Sequence, residues 1–279
     1  MTVIDLSEAI ELSTCSDMGR VRTNNEDSVL ANPQLGLVVL ADGMGGYNAG
    51  EVASAMATAM LGSDLERAFS ERAPQEMTPN GQAWVREALI DIVSRANSTI
   101  YHSAQSQPKY AGMGTTLVAV QFFDNRLAVA HVGDSRLYRL RGDTMMQLTR
   151  DHSLLQEQID SGLITAEQAR FSQNKNLVTR ALGVEATVDT ELNEYEALPG
   201  DVYLLCSDGL NDMVEDEDIA LALTSFRANI SLCAQQLVDM ANDNGGRDNV
   251  SVILAKVKTP FPASPHDGGW WGKVQSWFR

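Results

Sequence analysis

Five stretches of this sequence set acidic side chains where a buried strand ought to begin or end. The apolar run at residues 37–41 stops at Asp42-Gly43 in "LVVLADGMGG", and the run at 202–206 is followed by Asp208-Gly209 in "VYLLCSDGLND". Asp134 follows a glycine in "VAHVGDSRLY", Asp248 stands just ahead of the apolar run in "GGRDNVSVILAKV", and Glu26 adjoins Asp27 in "RTNNEDS". Singly, each reads as a turn residue. Together they could converge, and convergence has a cost. Two unit charges about 4 Å apart interact by about 4 kcal/mol at an effective dielectric near 20. Several such pairs would exceed the whole stability of an ordinary domain, about 5–15 kcal/mol. Protonation or bound cations must then intervene, and at neutral pH cations are the expected answer.

The donors are all oxygen. There is no cysteine pair or His-x-x-x-His spacing near them, and on an even strand His131 points away from Asp134. Hard oxygen ligands select Mg²⁺, Mn²⁺ or Ca²⁺ over Zn²⁺. A glycine after the carboxylate lets backbone approach, so the Gly43 carbonyl is a further candidate ligand. If the segment before Asp27 is extended, Arg22, Asn24 and Glu26 share a face and Asp27 looks the other way. A guanidinium beside such a site suits a phosphate, which it can hold with two parallel hydrogen bonds; alone, Arg22 would read as a surface arginine.

The elements that must carry these residues follow from patterning. Residues 37–41 read as a strand buried on both faces. Helical composition follows, with Asn48 as cap, and a second long helix carries Trp84, Ala88, Ile92 and Ala96 on one stripe. Strands come next, with Asp124-Asn125 and Gly142-Asp143 as hairpin turns. Residues 151–180 are polar and partly helical, as in a mobile insertion or lid. A strand, two helical stretches and a closing strand complete the series. The order is not a strict β-α alternation, so the expected class is α+β, with antiparallel sheets flanked by helices rather than a doubly wound parallel sheet.

The 279 residues carry a formal net charge of −16, which argues against nucleic acid as a partner. No run is long enough to span a membrane. The start of the chain lacks a secretion-signal pattern, and three scattered cysteines do not make a disulfide framework. The expectation is a cytoplasmic protein with free thiols. After residue 258 the composition turns proline-rich and then aromatic. Trp270, Trp271, Val274, Trp277 and Phe278 would share one helical face. This tail is expected either to pack back or stay unstructured, or to dock a protein partner. With Lys273 and Arg279 its only basic groups, a membrane is the weaker target.

The ordered set "GRVRTNNEDS", "LVVLADGMGG", "GMGTTLVAV", "AHVGDSRLY", "NLVTRALG", "LLCSDGLND" and "GGRDNVSVI" resembles the metal-dependent Ser/Thr protein phosphatases of the type 2C family, in the bacterial style. The resemblance implies a central antiparallel β-sandwich flanked by helices, in four layers, over residues 1–258, with a flap at about 151–180 and a tail at 259–279. It implies two Mn²⁺ or Mg²⁺ ions, with a third, weaker site. Carried over, Asp42 bridges both ions, Asp208 and Asp248 hold the first, and the Gly43 carbonyl and, through water, Glu26 hold the second. Asp134 with Asp208 matches the third site, Asp27 and Asn249 support the ligands, and Arg22 binds the substrate phosphate. The implied reaction is direct attack of a metal-bridging water on phospho-Ser or phospho-Thr of proteins, in signalling that opposes a Ser/Thr kinase. Cys206 is then a strand residue rather than a nucleophile. Met44 stands where eukaryotic members carry a histidine proposed to protonate the leaving group, and methionine cannot donate a proton. Metal-bound water, His102 or His152 are the alternatives. Two other functions stay open: a pseudophosphatase that only binds, and a phosphatase of a small phosphorylated metabolite.

Overall fold

The computed structural model describes residues 5–46, 49–169 and 177–263. Two antiparallel sheets stack face to face. The first has the order β1-β11-β10-β7-β8 and the second β2-β3-β5-β6-β9, with a short β4 paired to β3. The strands are β1 Ile10–Asp17, β2 Asp27–Asn32, β3 Leu37–Met44, β4 Gly114–Thr115, β5 Leu117–Phe123, β6 Arg126–Val132, β7 Arg136–Arg141, β8 Thr144–Gln147, β9 Glu191–Glu196, β10 Val202–Cys206 and β11 Val250–Val257. Helices α1 (Ala49–Glu71) and α2 (Trp84–Ser106) cover the second sheet. Helices α3 (Leu154–Asp160) and α4 (Ala166–Ala169) lie in the flap region. A single turn, α5 (Asp208–Asn211), leads to α6 (Asp216–Phe226) and α7 (Ile230–Asp243), which cover the first sheet.

Burying both faces of a sheet demands strands that are apolar without alternation, and the central strands β3, β5, β10 and β11 largely are. In β3, Leu37, Val39 and Ala41 meet the α1–α2 layer, while Val38 and Leu40 meet the opposite sheet. In β10, Val202, Leu204 and Cys206 face α6 and α7, while Tyr203 and Leu205 face the sandwich interior. The result is the expected four-layer α-β-β-α architecture. Asp42 extends the interior-facing row of β3, and Asp27 is its register partner on β2. The alternation that builds the core therefore delivers carboxylates to the open rim between the sheets.

Both hairpin turns form. Asp124 and Asn125 have φ of 43° and 54°, the type I′ geometry that matches strand twist. The buried stripe of α2 is Val85, Ala88, Leu89, Ile92, Val93 and Ala96, so Trp84 sits at its margin. Residues 18–26 form a loop rather than an extended segment, so the shared-face argument for Arg22, Asn24 and Glu26 does not hold. Past β11 the described chain stays packed. Phe261 is buried in the interior core against Phe122, and the Phe261 and Ala263 N–H groups donate to Asn125 Oδ1 (2.6 Å) and Asp124 Oδ1 (2.8 Å). The Asn48 cap, residues 170–176 of the flap and the aromatic tail from 264 onward lie outside the described residues.

Candidate active site

The rim of the sandwich holds a cleft of about 210 Å3 lined by Arg22, Glu26, Asp42, Gly43, Met44, Thr116, Asp134, Val178, Asp208, Asp248 and Asn249, with Gly45 at its edge. Every carboxylate expected to hold a metal is in this one lining. They come from both sheets: Glu26 and Asp42 from the second, Asp208 and Asp248 from the first, and Asp134 from the turn after β6. Asp27 stands just behind, its Oδ2 accepting from Ser207 Oγ at 2.9 Å.

Backbone holds these side chains in place. Asp42 N–H donates to Thr116 Oγ1 (3.0 Å), and the Asp42 carbonyl accepts from Thr115 Oγ1 (2.8 Å) and Thr116 N–H (2.9 Å). With its backbone satisfied, the Asp42 carboxylate is left for the cleft. A Cβ at Gly43 would collide with the Gly50 and Glu26 backbone, so only glycine lets α1 start this close to β3. Asn249 fixes the 18–26 loop: its Nδ2 donates to Met18 (2.9 Å) and Asn24 (2.8 Å) carbonyls, and its Oδ1 accepts from Glu26 N–H (2.9 Å). Its own N–H donates to Asp248 Oδ1 at 2.8 Å. That exceeds the expected part of bracing the Asp248 turn alone. Arg22 reaches the site from the loop, with Nη2 donating to Asp248 Oδ2 at 2.6 Å and about half of its side chain exposed.

The electrostatics are those of crowded like charges. Burial, then Asp27, Asp208, Asp134 and Asp248, push the Asp42 carboxyl well above the usual range. Burial, then Asp134, Asp212 and Asp248, do the same to Asp208. Burial first pushes Asp27 and Asp134 up to about 6. Asp208 Oδ1 and Asp27 Oδ1 are buried with no hydrogen-bond partner. Excess negative charge, unpartnered buried carboxylate oxygens and an oxygen-only donor set fit hard divalent cations.

Three residues stay out of this chemistry. Cys206 faces the α6–α7 core, and burial pushes its thiol up to about 12, so it is no nucleophile. His102 and His152, considered as proton donors, do not line the cleft; His102 lies on exposed α2 surface, and His152 Nδ1 accepts from Gly133 N–H at 3.1 Å. The sequence reading missed the hydroxyls. Thr116 Oγ1 and Ser135 Oγ share a 2.7 Å hydrogen bond under Asp42, and Ser207 Oγ links Asp27 to Ser251 N–H (3.0 Å). Their signal was present: Thr116, Ser135, Ser207 and Ser251 are small polar residues in or beside apolar strand runs, all buried.

Residues 19–243 match the family described as Protein phosphatase 2C. The chain belongs to the protein phosphatase 2C family. The serine/threonine protein phosphatase PstP of Mycobacterium tuberculosis is 43% identical over 244 residues, 87% of this chain but 44% of that protein, so the chain spans less than half of that relative's length. The serine/threonine phosphatase stp of Listeria innocua is 38% identical over 86% of this chain and 93% of its own. Among solved structures, the catalytic domain of PstP in complex with two manganese ions aligns with a TM-score of 0.77 at 40% identity, covering 90% of this chain and 99% of that one. This family membership agrees with the α+β sandwich and with the motif order in the sequence.

Proposed function

We propose that this protein is a metal-dependent protein serine/threonine phosphatase that hydrolyses phospho-Ser and phospho-Thr. The observation that carries the reading is the convergence of Glu26, Asp42, Asp134, Asp208 and Asp248 on one cleft beside Arg22. Asp42 would bridge two ions, Asp208 and Asp248 would hold one, and the Gly43 carbonyl and Glu26, through water, the other. Asp134 with Asp208 would form a weaker third site. Manganese or magnesium suits these donors. When bound, such ions supply Lewis acidity, acidifying water and offsetting charge on phosphoryl oxygens.

The chain's own groups do the rest. Arg22 keeps guanidinium N–H groups free of Asp248 and exposed at the mouth, where they can take two phosphate oxygens. Asn249 and Asp248 hold the Arg22 loop against β11, so phosphate and ions are gripped from one frame. Ser207 orients the Asp27 carboxylate and Thr116 fixes the Asp42 backbone. Met44 and Val178 line the wall with groups that neither give nor take a proton. The retention of every candidate carboxylate favours an enzyme over a pseudophosphatase.

The protein is further proposed to act in the cytoplasm, in signalling that opposes a Ser/Thr kinase on shared phosphoprotein substrates. Its three cysteines are unpaired, and among the described residues no helix is long and apolar enough to cross a membrane. The aromatic stripe beyond residue 264 is a candidate docking segment for a protein partner.

The test is hydrolysis of a phosphothreonine peptide with and without Mn²⁺, for the wild type and Asp208→Asn. Activity that needs the ion and falls at least about a hundredfold in the variant is expected. Equal rates, or full activity in excess chelator, overturn the reading.

A further inference from the structure

Among the described residues outside the cleft, His131, His152 and Glu191 form a cluster with no role in the function above, their nearest ligand atoms lying within 4.8 Å of one another. The grouping resembles a transition-metal triad, but its geometry does not suit one. The two imidazoles are stacked, centroids 4.7 Å apart and 28° between planes, so their in-plane lone pairs do not meet at a point. His152 Nδ1 already accepts from Gly133 N–H (3.1 Å), which leaves Nε2 to carry the proton and donate to Glu191 Oε2 at 3.3 Å.

What His152 does instead is grip Gly133 from both sides, with its ring and with its backbone. His152 N–H donates to the Gly133 carbonyl at 2.8 Å while its Nδ1 takes the Gly133 N–H. Gly133 is the peptide before Asp134. Its φ is +109°, and a Cβ there would come within 2.7 Å of Thr116 Cβ. Thr116 is the residue whose hydroxyl holds Asp42. The same His152 offers its carbonyl to Thr179 N–H at 2.8 Å, and Ser153 bridges Val178, which lines the cleft. One residue thus joins the two roots of the flap, the turn bearing Asp134 and the support of Asp42.

We propose that His152, backed by the stacked ring of His131, is a positioning residue for the phosphatase site, clamping Gly133 so that Asp134, Thr116 and the flap segment at Val178 stand in register with the metal cleft. His131 contributes its flat face. Burial holds both imidazoles neutral, as Nδ1 must be to accept.

The decisive comparison is His152→Asn against His152→Gln. An asparagine Oδ1 can occupy the Nδ1 position and accept from Gly133. A glutamine amide reaches toward Glu191 and leaves the Gly133 N–H unpaired. Both lose the ring stack and should melt lower, the Gln variant by more because it leaves a buried N–H unpaired, so rates are compared at a temperature where both are folded. Supporting groups behind metal ligands typically account for about 10–100-fold in affinity or activity. The Gln variant should therefore lose about tenfold or more in kcat/KM on a phosphothreonine peptide and need more Mn²⁺ for half-activation. The Asn variant should stay within about threefold of wild type on the same scale. Equal losses in the two variants, or losses that only follow their melting temperatures, overturn the proposal. A measurement on the unmutated protein stands apart from both: ¹⁵N NMR of its histidines should show His152 as the Nε2–H tautomer, and an Nδ1–H tautomer refutes the clamp.

Discussion

Substituting Asp134 by asparagine should stabilise the chelated protein while weakening its response to Mn²⁺. Asp134 is 7% exposed, and burial, then the charge of Asp151, push its carboxyl from 3.8 up to about 6 despite its own backbone hydrogen bond and the guanidinium of Arg136. The folded chain therefore keeps a proton that the unfolded chain gives up between those two values. Its contribution to stability declines as pH rises through that window and is fully lost above about 6. Two pKa units correspond to about 3 kcal/mol. Asparagine never ionises and avoids that cost, and its amide can donate to the neighbouring carboxylates. In excess chelator at pH 7.5, Asp134→Asn should exceed the wild type by up to about 3 kcal/mol, and the two should converge near pH 4. Arg136 keeps its paired contacts to Asp151 at 2.7 and 3.0 Å, so the substitution leaves no charge unpaired there. The assay is urea unfolding followed by circular dichroism from pH 4 to 8, with chelator and with saturating Mn²⁺. Saturating ion should narrow or reverse the difference, because the wild type gains more from binding. A variant less stable than wild type in chelator at pH 7.5, or a difference that ignores pH, would refute the claim that this cleft holds more negative charge than the protein alone accommodates.

Two further outcomes follow from the same structure. Burial, then the neighbouring His152, push the His131 imidazole from 6.5 down to about 3, so the unfolded chain takes up a proton below 6.5 that the folded chain refuses; this group's own contribution should fall by about 2 kcal/mol between pH 6.5 and 5, read in urea unfolding as the change in the difference between His131→Leu and wild type, and a difference that ignores pH would contradict it. Ending the chain after Ala263 should leave peptidase-free melting and phosphopeptide hydrolysis near wild type, whereas ending it after Pro260 removes the buried Phe261 ring and should cost about 3–5 kcal/mol by calorimetry; equal melting temperatures for the two truncations would show that Phe261 carries no weight in the core.

The carboxylates were legible because each breaks a local rule. Asp42 and Asp208 adjoin runs that are otherwise apolar, and Asp134 and Asp248 sit at glycine- or asparagine-bearing turns against strands. Patterning likewise gave the two-sided burial of β3, a strand at β10, the long helices and the hairpin turn at Asp124-Asn125. The hydroxyls of Thr116, Ser135, Ser207 and Ser251 carried a weaker form of the same signal, a small polar side chain in a buried strand context, and went unread. The extended-strand argument for Arg22 failed for a definite reason: residues 18–26 are shaped by Asn249, which lies more than 220 residues away.

The sequence by itself determined which residue types stand at strand ends, and therefore that an oxygen-rich, anionic cluster was available. That information is local, because side-chain alternation and turn chemistry need only a few neighbouring residues. Tertiary structure alone decided that the cluster meets at one rim, that Arg22 reaches Asp248, that Phe261 closes the interior core, and that His152 ties the flap to Gly133. Each of those depends on two sheets packing in one register, and a distance between residues from different sheets is fixed by the packing of the whole body, not by any stretch of chain.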